Sequence, residues 1–169
     1  QAYALRAYYY FQLVNMWGEP YNYNKDALGV PLKTTSGLEY KELPRNTVKE
    51  VYMRVMDDLD EAEKLYASLP ASLQFKKDYR TNLPMIQLLK SRVYLYMEDW
   101  KNAAIYAKKV IDEWDFSLMN LNALPEKTTR NPYYNFISED CSEAIWLFGK
   151  IDKFTTYLTY YLNVEDPWD

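Results

Sequence analysis

The stretch Ser91–Ala104, which reads SRVYLYMEDWKNAA, decides the fold. Apolar residues recur at helical spacing on both sides of its centre, which predicts one helix over Met85–Met97 and another over Lys101–Trp114. Only residues 98–100 separate the two predicted helices. The sequence therefore predicts a helix, a tight turn and a second helix.

The spacing of small and aromatic residues in this pair resembles a tetratricopeptide repeat. Small residues at Ser91 and Ala103 let the paired helices approach, and aromatic residues at Tyr94 and Trp100 fill the space between them. Glu98 stands where that repeat often has glycine, so we expect a different turn.

A first helix is predicted over Ala4–Trp17, where Gly18 ends it. Ala7 and Tyr10 lie three residues apart, as Ser91 and Tyr94 do, so this helix resembles the first helix of another such pair. The aromatic run Tyr8–Phe11 covers nearly the whole circumference of one turn. We therefore expect this helix to be surrounded, with its rings in a core rather than against a ligand.

A further helix is predicted to begin at Thr47, because Glu50 follows three residues later as in a capping box, and to end near Leu69–Pro70. Its apolar residues recur with a clear 3.6-residue period at Val48, Val51, Tyr52, Val55, Met56, Leu59, Ala62 and Leu65. Acidic residues fill the rest of the helix at Asp57, Asp58, Asp60, Glu61 and Glu63. We interpret them as a solvated face; a cation site is the alternative.

Composition supports an all-α fold and excludes several classes of function. The chain has 169 residues with 18 Tyr and 5 Trp but only 4 Gly, which leaves little material for hairpins or phosphate-binding loops. A net charge of −4 without a basic stripe argues against nucleic acid as a partner. The absence of histidine and the single Cys141 argue against a zinc site, a catalytic triad or an internal disulfide, and we expect no metal or cofactor.

We expect one fragment of one domain that is truncated at both ends, with residues 2–114 as a helical scaffold and residues 115–169 as an irregular region. Tyr21–Pro44 has no periodicity and is predicted to be a long loop. Near the C-terminus, Glu143–Phe148 is predicted to be a buried strand or an extended segment. Phe154–Leu162 fits a helix or a strand.

Three stretches together resemble the SusD/RagB family of surface glycan-binding lipoproteins. They are Leu5–Val14 with Trp17-Gly18 and Gly29–Leu32; Pro44–Tyr52 with Asp58-Leu59; and Ser91–Trp100 with Ala103-Ala104 and Val110-Ile111. Their order and separations fit the family over roughly residues 2–114, and Glu143–Trp146 is similar to a segment that follows the repeats.

The resemblance implies a SusD-like superhelix of tetratricopeptide-type helix pairs that captures oligosaccharide, or peptide in the RagB branch, without catalysis. It also implies a cell-surface location on the outer membrane, as a lid docked on a SusC-like TonB-dependent transporter of the starch-utilisation type. Family members are longer than this chain and carry a lipid anchor on an N-terminal cysteine. Cys141 is internal and is not that residue.

Candidate ligand contacts lie in and near the long loop, because sugar binding needs aromatic faces for stacking and polar groups for hydroxyls. The candidates are Trp17, Tyr21, Asn22, Tyr23, Asp26 and Tyr40. The alternative is that Trp17 caps the helix bundle and the tyrosines pack over it. The loop carboxylates suggest no facing pair of the kind that glycosidases need, so we expect no enzyme activity.

Oligosaccharide capture for a transporter is therefore the expected function. A tetratricopeptide-type adaptor that binds a protein segment, or a RagB-like peptide-binding protein, is the alternative. An ordered loop that presents rings to solvent favours capture, whereas a loop packed flat beside an open helical groove favours the adaptor.

Overall fold

The computed structural model describes residues 1–38, 42–120 and 141–147. The prediction of an all-α fold is confirmed for these residues: they contain helices and one isolated antiparallel bridge, between Leu28 and Thr47, but no strand. The helices are α1 (Ala2–Trp17), α2 (Tyr21–Asn24), α3 (Val48–Ala67), α4 (Ala71–Gln74), α5 (Leu83–Tyr96) and α6 (Trp100–Glu113). The predicted element over Phe154–Leu162 lies outside the described residues.

The chain divides into two compact units. The first consists of Gln1–Lys76 and Thr81–Asp115 and contains all the helices named above. The second consists of Lys77–Arg80 and Phe116–Asp169. Within its described part, the Lys77 ammonium donates to the Cys141 carbonyl at 2.7 Å, and residues 143–147 form neither helix nor strand.

Helix α1 packs mainly against α3 through one face of small and apolar side chains. The buried residues are Ala4, Ala7, Phe11 and Val14, spaced as one helical face requires. The expectation of a helix surrounded on all sides is wrong for the described residues, because Tyr9 is 48% exposed and Met16 70%. The aromatic run thus contributes only Phe11 to the core.

Gly18 ends α1 as predicted, but not through a left-handed backbone, since its φ is −105°. Its amide donates to the Val14 carbonyl at 2.8 Å. A Cβ at this position would lie 2.7 Å from that same oxygen, so glycine is required here by close approach.

Helix α3 begins with the predicted capping box: the Glu50 amide donates to Thr47 Oγ1 at 3.2 Å, and the Thr47 amide donates to the Glu50 carboxylate at 2.8 Å. The apolar period is confirmed except at its end, where Tyr66 is buried and Leu65 is 48% exposed. Tyr66 is held there by its hydroxyl, which donates to the carbonyl of Thr81.

The interpretation of the acidic residues of α3 as a solvated face is wrong for Asp58 and Glu63. Asp58 is 2% exposed and forms a bidentate pair with Arg6 of α1, both bonds measuring 2.6 Å. Glu63 is half-buried against Lys90 of α5. Burial of these carboxylates is possible because cations from neighbouring helices face them.

The predicted helix–turn–helix is confirmed as α5 and α6. The Ser91 hydroxyl donates to the Ala103 carbonyl at 2.8 Å, and the rings of Tyr94 and Tyr106 stack at 5.7 Å. Glu98 adopts a φ of 59°, the left-handed conformation that glycine adopts without strain. The turn therefore keeps a conformation suited to glycine although the residue is glutamate.

Candidate functional site

The segment between α1 and α3 is partly structured rather than one long loop. Tyr21–Asn24 forms the short helix α2, which corrects the prediction of an aperiodic loop from Tyr21 onward. The Gly29 amide then donates to the Asn46 carbonyl at 2.7 Å, and the Val48 amide donates to the Ala27 carbonyl at 2.9 Å. These backbone bonds attach the segment to the residues that begin α3.

Arg45 ties the end of α1 to this segment. Its guanidinium donates to the carbonyls of Gly29 at 2.6 Å, Leu28 at 2.8 Å and Trp17 at 3.1 Å. The planar guanidinium presents several donors in a rigid fork, which suits it to carbonyls that come from separate segments. Arg45 thereby anchors the backbone of Trp17 while leaving its ring free to face solvent.

Asn46, the next residue, attaches a later part of the segment to the start of α3. Its side-chain oxygen accepts from the Leu32 amide at 2.9 Å, and its amide group donates to the Glu50 carboxylate at 3.1 Å. Hydrogen bonds from the Thr47 backbone and from Asn46 lower the pKa of Glu50. Tyr10 of α1 adds a further attachment, because its hydroxyl accepts from the Lys33 amide at 2.7 Å.

The predicted ligand residues fall into two groups. Trp17 is 69% exposed and Tyr23 is 81% exposed, while Asn22 and Asp26 are also at the surface. Tyr21 instead packs against Tyr52 of α3, with ring centroids 4.8 Å apart.

The structure therefore leaves two predicted rings available and uses Tyr21 as packing, while Tyr40 lies outside the described residues. The alternative interpretation, in which Trp17 caps the helix bundle, does not fit the exposure of this side chain.

Tyr52 is the buried support beneath Tyr21. It is 2% exposed, its hydroxyl donates to Asn15 Oδ1 at 3.0 Å, and Phe11 approaches its ring edge-on at 6.0 Å. Burial raises the pKa of Tyr52 to about 12. Tyr21, the first residue of α2, therefore packs on a buried and neutral ring.

Sequence reasoning missed Arg45, Asn46 and Tyr10 as the residues that organise this region. The partners of Arg45 and Tyr10 are backbone groups far along the chain, and no local spacing reveals such pairs. Asn46 carries a local signal, because it lies directly before the capping residue Thr47 and its amide group bonds Glu50 of the same capping box.

The exposed groups of this segment can bind a ligand noncovalently. Rings supply apolar faces for stacking, and the carboxylate and amide of Asp26 and Asn22 can bond hydroxyl groups. Among residues 1–38, 42–120 and 141–147, no cluster of potential ligands gathers to hold a metal ion. None of the helices in that part of the chain has the length and hydropathy to cross a bilayer.

Comparison with known proteins shows which family this chain resembles. Residues 1–95 match the SusD-like family described as starch-binding and associating with outer membrane. A curated relative, SusD-like protein P38 of Formosa agariphila, is 31% identical over 121 residues, which cover 70% of this chain and 21% of the relative.

Two solved structures share the fold. A SusD-like carbohydrate binding protein from Bacteroides vulgatus is 25% identical with a TM-score of 0.74, over 96% of this chain and 33% of that one. A SusD superfamily protein from Bacteroides thetaiotaomicron is 27% identical with a TM-score of 0.59, over 70% of this chain and 25% of that one.

The chain spans about a fifth of the curated relative and a quarter to a third of the two solved structures. The resemblance drawn from the aromatic first helix, the capped third helix and the α5–α6 pair is confirmed by these matches. Since the family match covers residues 1–95 of 169, more than half of its length, this chain belongs to the SusD-like family.

Proposed function

We propose that this chain is part of a protein that captures oligosaccharides without catalysis and delivers them to a transporter. The observation that carries the proposal is the pair of exposed rings, Trp17 and Tyr23, on a segment that Arg45 and Asn46 anchor in a SusD-like chain. A segment whose backbone is anchored before binding loses little entropy when a ligand stacks on its rings.

The physical basis of capture is stacking together with hydrogen bonding. A sugar ring has a C–H face that covers an aromatic ring and displaces water from it, which supplies the apolar part of the affinity. Asn22 and Asp26 are exposed polar groups near Tyr23 in sequence, and they provide acceptors and donors for hydroxyls. Binding of this kind breaks no bond, so the protein needs no catalytic residue.

The proposed setting is the cell surface, at the outer membrane, with a SusC-like TonB-dependent transporter as the protein partner. The family description, starch-binding and associating with outer membrane, supports the membrane and the class of ligand. The carbohydrate-binding description of the Bacteroides vulgatus structure supports the ligand as well.

Affinity electrophoresis of the full-length protein tests the proposal, with starch and a panel of other polysaccharides in the gel. Trp17→Ala and Tyr23→Ala are each expected to weaken the glycan affinity about tenfold, the usual effect of removing an aromatic contact. Trp100→Ala is the matched control, because its ring is 61% exposed on α6, outside the anchored segment. Circular dichroism checks that each variant is folded.

Two results would contradict the proposal. Unchanged retardation of both ring variants, with a loss in Trp100→Ala, would place the contact elsewhere. Retardation by no polysaccharide, together with tight binding of a peptide, would favour a RagB-like or adaptor function instead.

A further inference from the structure

Helix α5 is buried on every side where it begins. The residues Leu83–Gln87 are all buried, and this run is longer than one helical turn of 3.6 residues. Ile86 and Val93, farther along the helix, are completely buried. Hydrophobic contact is not directional, so apolar burial alone selects neither the rotation nor the axial position of such a helix.

A stripe of polar side chains distinguishes one face of α5. Gln87, Lys90, Ser91 and Tyr94 follow a spacing of i, i+3, i+4 and i+7, which places them on one side of a helix. Gln87 Oε1 accepts from the Trp114 indole at 2.8 Å. Ser91 donates to a carbonyl of α6, and the Tyr94 ring stacks on Tyr106.

Lys90 is the most constrained member of this stripe. It is 2% exposed, and its ammonium lies 2.6 Å from Asp60, 2.5 Å from Glu63 and 2.7 Å from the Tyr106 hydroxyl. An ammonium has three N–H groups, so three acceptors satisfy it completely. The ammonium also lies 4.3 Å from the centre of the Tyr106 ring, within the range of a cation–π contact.

Side chains from three different helices therefore meet at this nitrogen atom. Asp60 and Glu63 belong to α3, Lys90 to α5 and Tyr106 to α6. A slip of α5 by one residue rotates its side chains by about 100° and moves them by about 1.5 Å. A slip by one turn moves them by about 5.4 Å. Either change leaves a buried charge without its partners, which is strongly unfavourable.

We propose that Lys90 determines the register and rotation of α5 between α3 and α6. Its contribution is to exclude other packings of an apolar helix rather than to increase the stability of the native one. Desolvation of an ammonium offsets much of the attraction within a buried ion pair, so such a group selects a packing more than it stabilises it. Glu63 keeps a second cation when Lys90 is absent, since Lys109 lies 3.4 Å away.

Lys90→Met in the full-length protein separates these two contributions. Methionine fills a similar volume without a charge, and it has no directional partner. We expect the urea midpoint of the variant to equal or exceed that of the wild type. We also expect amide exchange in α5 and α6 to become about tenfold faster than in the wild type, while exchange in α1 is unchanged.

Lys108→Met is the matched control. It removes the same charge from α6, but Lys108 is 75% exposed and pairs along its own helix with Asp112. The control is expected to leave the exchange pattern of α5 and α6 as in the wild type.

Two outcomes would overturn the inference. One is exchange in α5 and α6 that stays at the wild-type rate in Lys90→Met. The other is faster exchange in every helix in proportion to a lowered urea midpoint, which would make Lys90 an ordinary stabilising residue.

If Lys90→Met does not fold, Lys90→Met with Glu63→Leu keeps the inference testable, because it removes both buried charges. The double variant is expected to fold and to retain fast exchange in α5 and α6. Wild-type protection in those helices would contradict a role for Lys90 in register.

Discussion

The first unit contains two helix pairs that pack alike and are connected differently. Helices α1 and α3 form one pair, and α5 and α6 form the other. Residues 18–47 join the first pair, whereas only Met97, Glu98 and Asp99 join the second. The long connection carries the exposed ring of Tyr23, while the short turn carries no aromatic residue. The two pairs are therefore both built from packed helices, and they differ in the connection that joins them.

The two pairs also differ in how they bury charge. Between α1 and α3, the buried Asp58 meets Arg6, whose side chain is 29% exposed. Among α3, α5 and α6, the buried group is the cation of Lys90, with carboxylates around it. A half-exposed arginine keeps part of its hydration, whereas the lysine has replaced nearly all of its water with protein acceptors. Removal of single partners should therefore affect the two pairs differently.

The largest expected effect comes from breaking the first pair at Arg6. Arg6→Met leaves the buried carboxylate of Asp58 beside the more distant Arg54, at 4.0 Å. We therefore expect the free energy of unfolding to fall by about 3 kcal/mol. Urea denaturation measures the change. Arg54→Met is the control, since that side chain is 38% exposed and should cost less than about 1 kcal/mol. If Arg6→Met with Asp58→Leu recovered no stability, an unpaired carboxylate would not be the cause.

The next effect appears at high pH in the same pair. Because the pKa of Tyr52 rises to about 12 in the folded protein, the stability linked to it is fully present below its unfolded pKa of about 10. That stability is lost as pH rises from about 10 through 12, an effect of about 2–3 kcal/mol.

Urea unfolding of the wild type and Tyr52→Phe between about pH 9 and about pH 12 measures this loss, because most of the change in stability falls in that range. The phenylalanine variant is expected to lose less stability over the range. Tyr23→Phe is the control, because its ring is already exposed. Parallel losses in the wild type and in Tyr52→Phe would contradict a role for burial of this hydroxyl.

A smaller effect is expected where the long connection enters α3. Thr47→Ala removes the oxygen that accepts from the Glu50 amide and should cost about 1 kcal/mol in unfolding free energy. Thr47→Ser keeps the hydroxyl and should remain close to the wild type. Thermal or urea unfolding of the three proteins makes the comparison; equal losses in both variants would show that the cap is not responsible.

The smallest effect is expected at the short turn of the second pair. Glu98→Gly removes the strain that a side chain causes in a left-handed backbone conformation. Glycine also has more conformational freedom in the unfolded chain, which offsets part of this gain. We therefore expect a net stabilisation of about 0.5 kcal/mol. Glu98→Ala keeps the strain and serves as the control. A destabilised glycine variant would mean that the glutamate side chain itself supports the turn.

Local sequence patterns predicted the helices of both pairs, whereas contacts between residues far apart in the sequence were not predicted. The capping box at Thr47 and the pair of helices around residues 98–100 were predicted, because caps and turns depend on residues within a few positions. The burial of Asp58 was not, since its partner Arg6 lies 52 positions earlier. The same limit applies to the candidate site: Trp17 and Tyr23 are exposed, but Tyr21 packs inward because Tyr52 lies beneath it.

The amino-acid sequence by itself determined the helices, their caps and the family. Helical periodicity, capping residues and family motifs all consist of residues that are close together in the sequence. Tertiary structure alone decided which rings face solvent, which carboxylates are buried and which backbone groups Arg45 holds. Those outcomes depend on which side chains meet across helices. The free energy of a charge or a ring depends on its surroundings in space rather than on its neighbours in sequence.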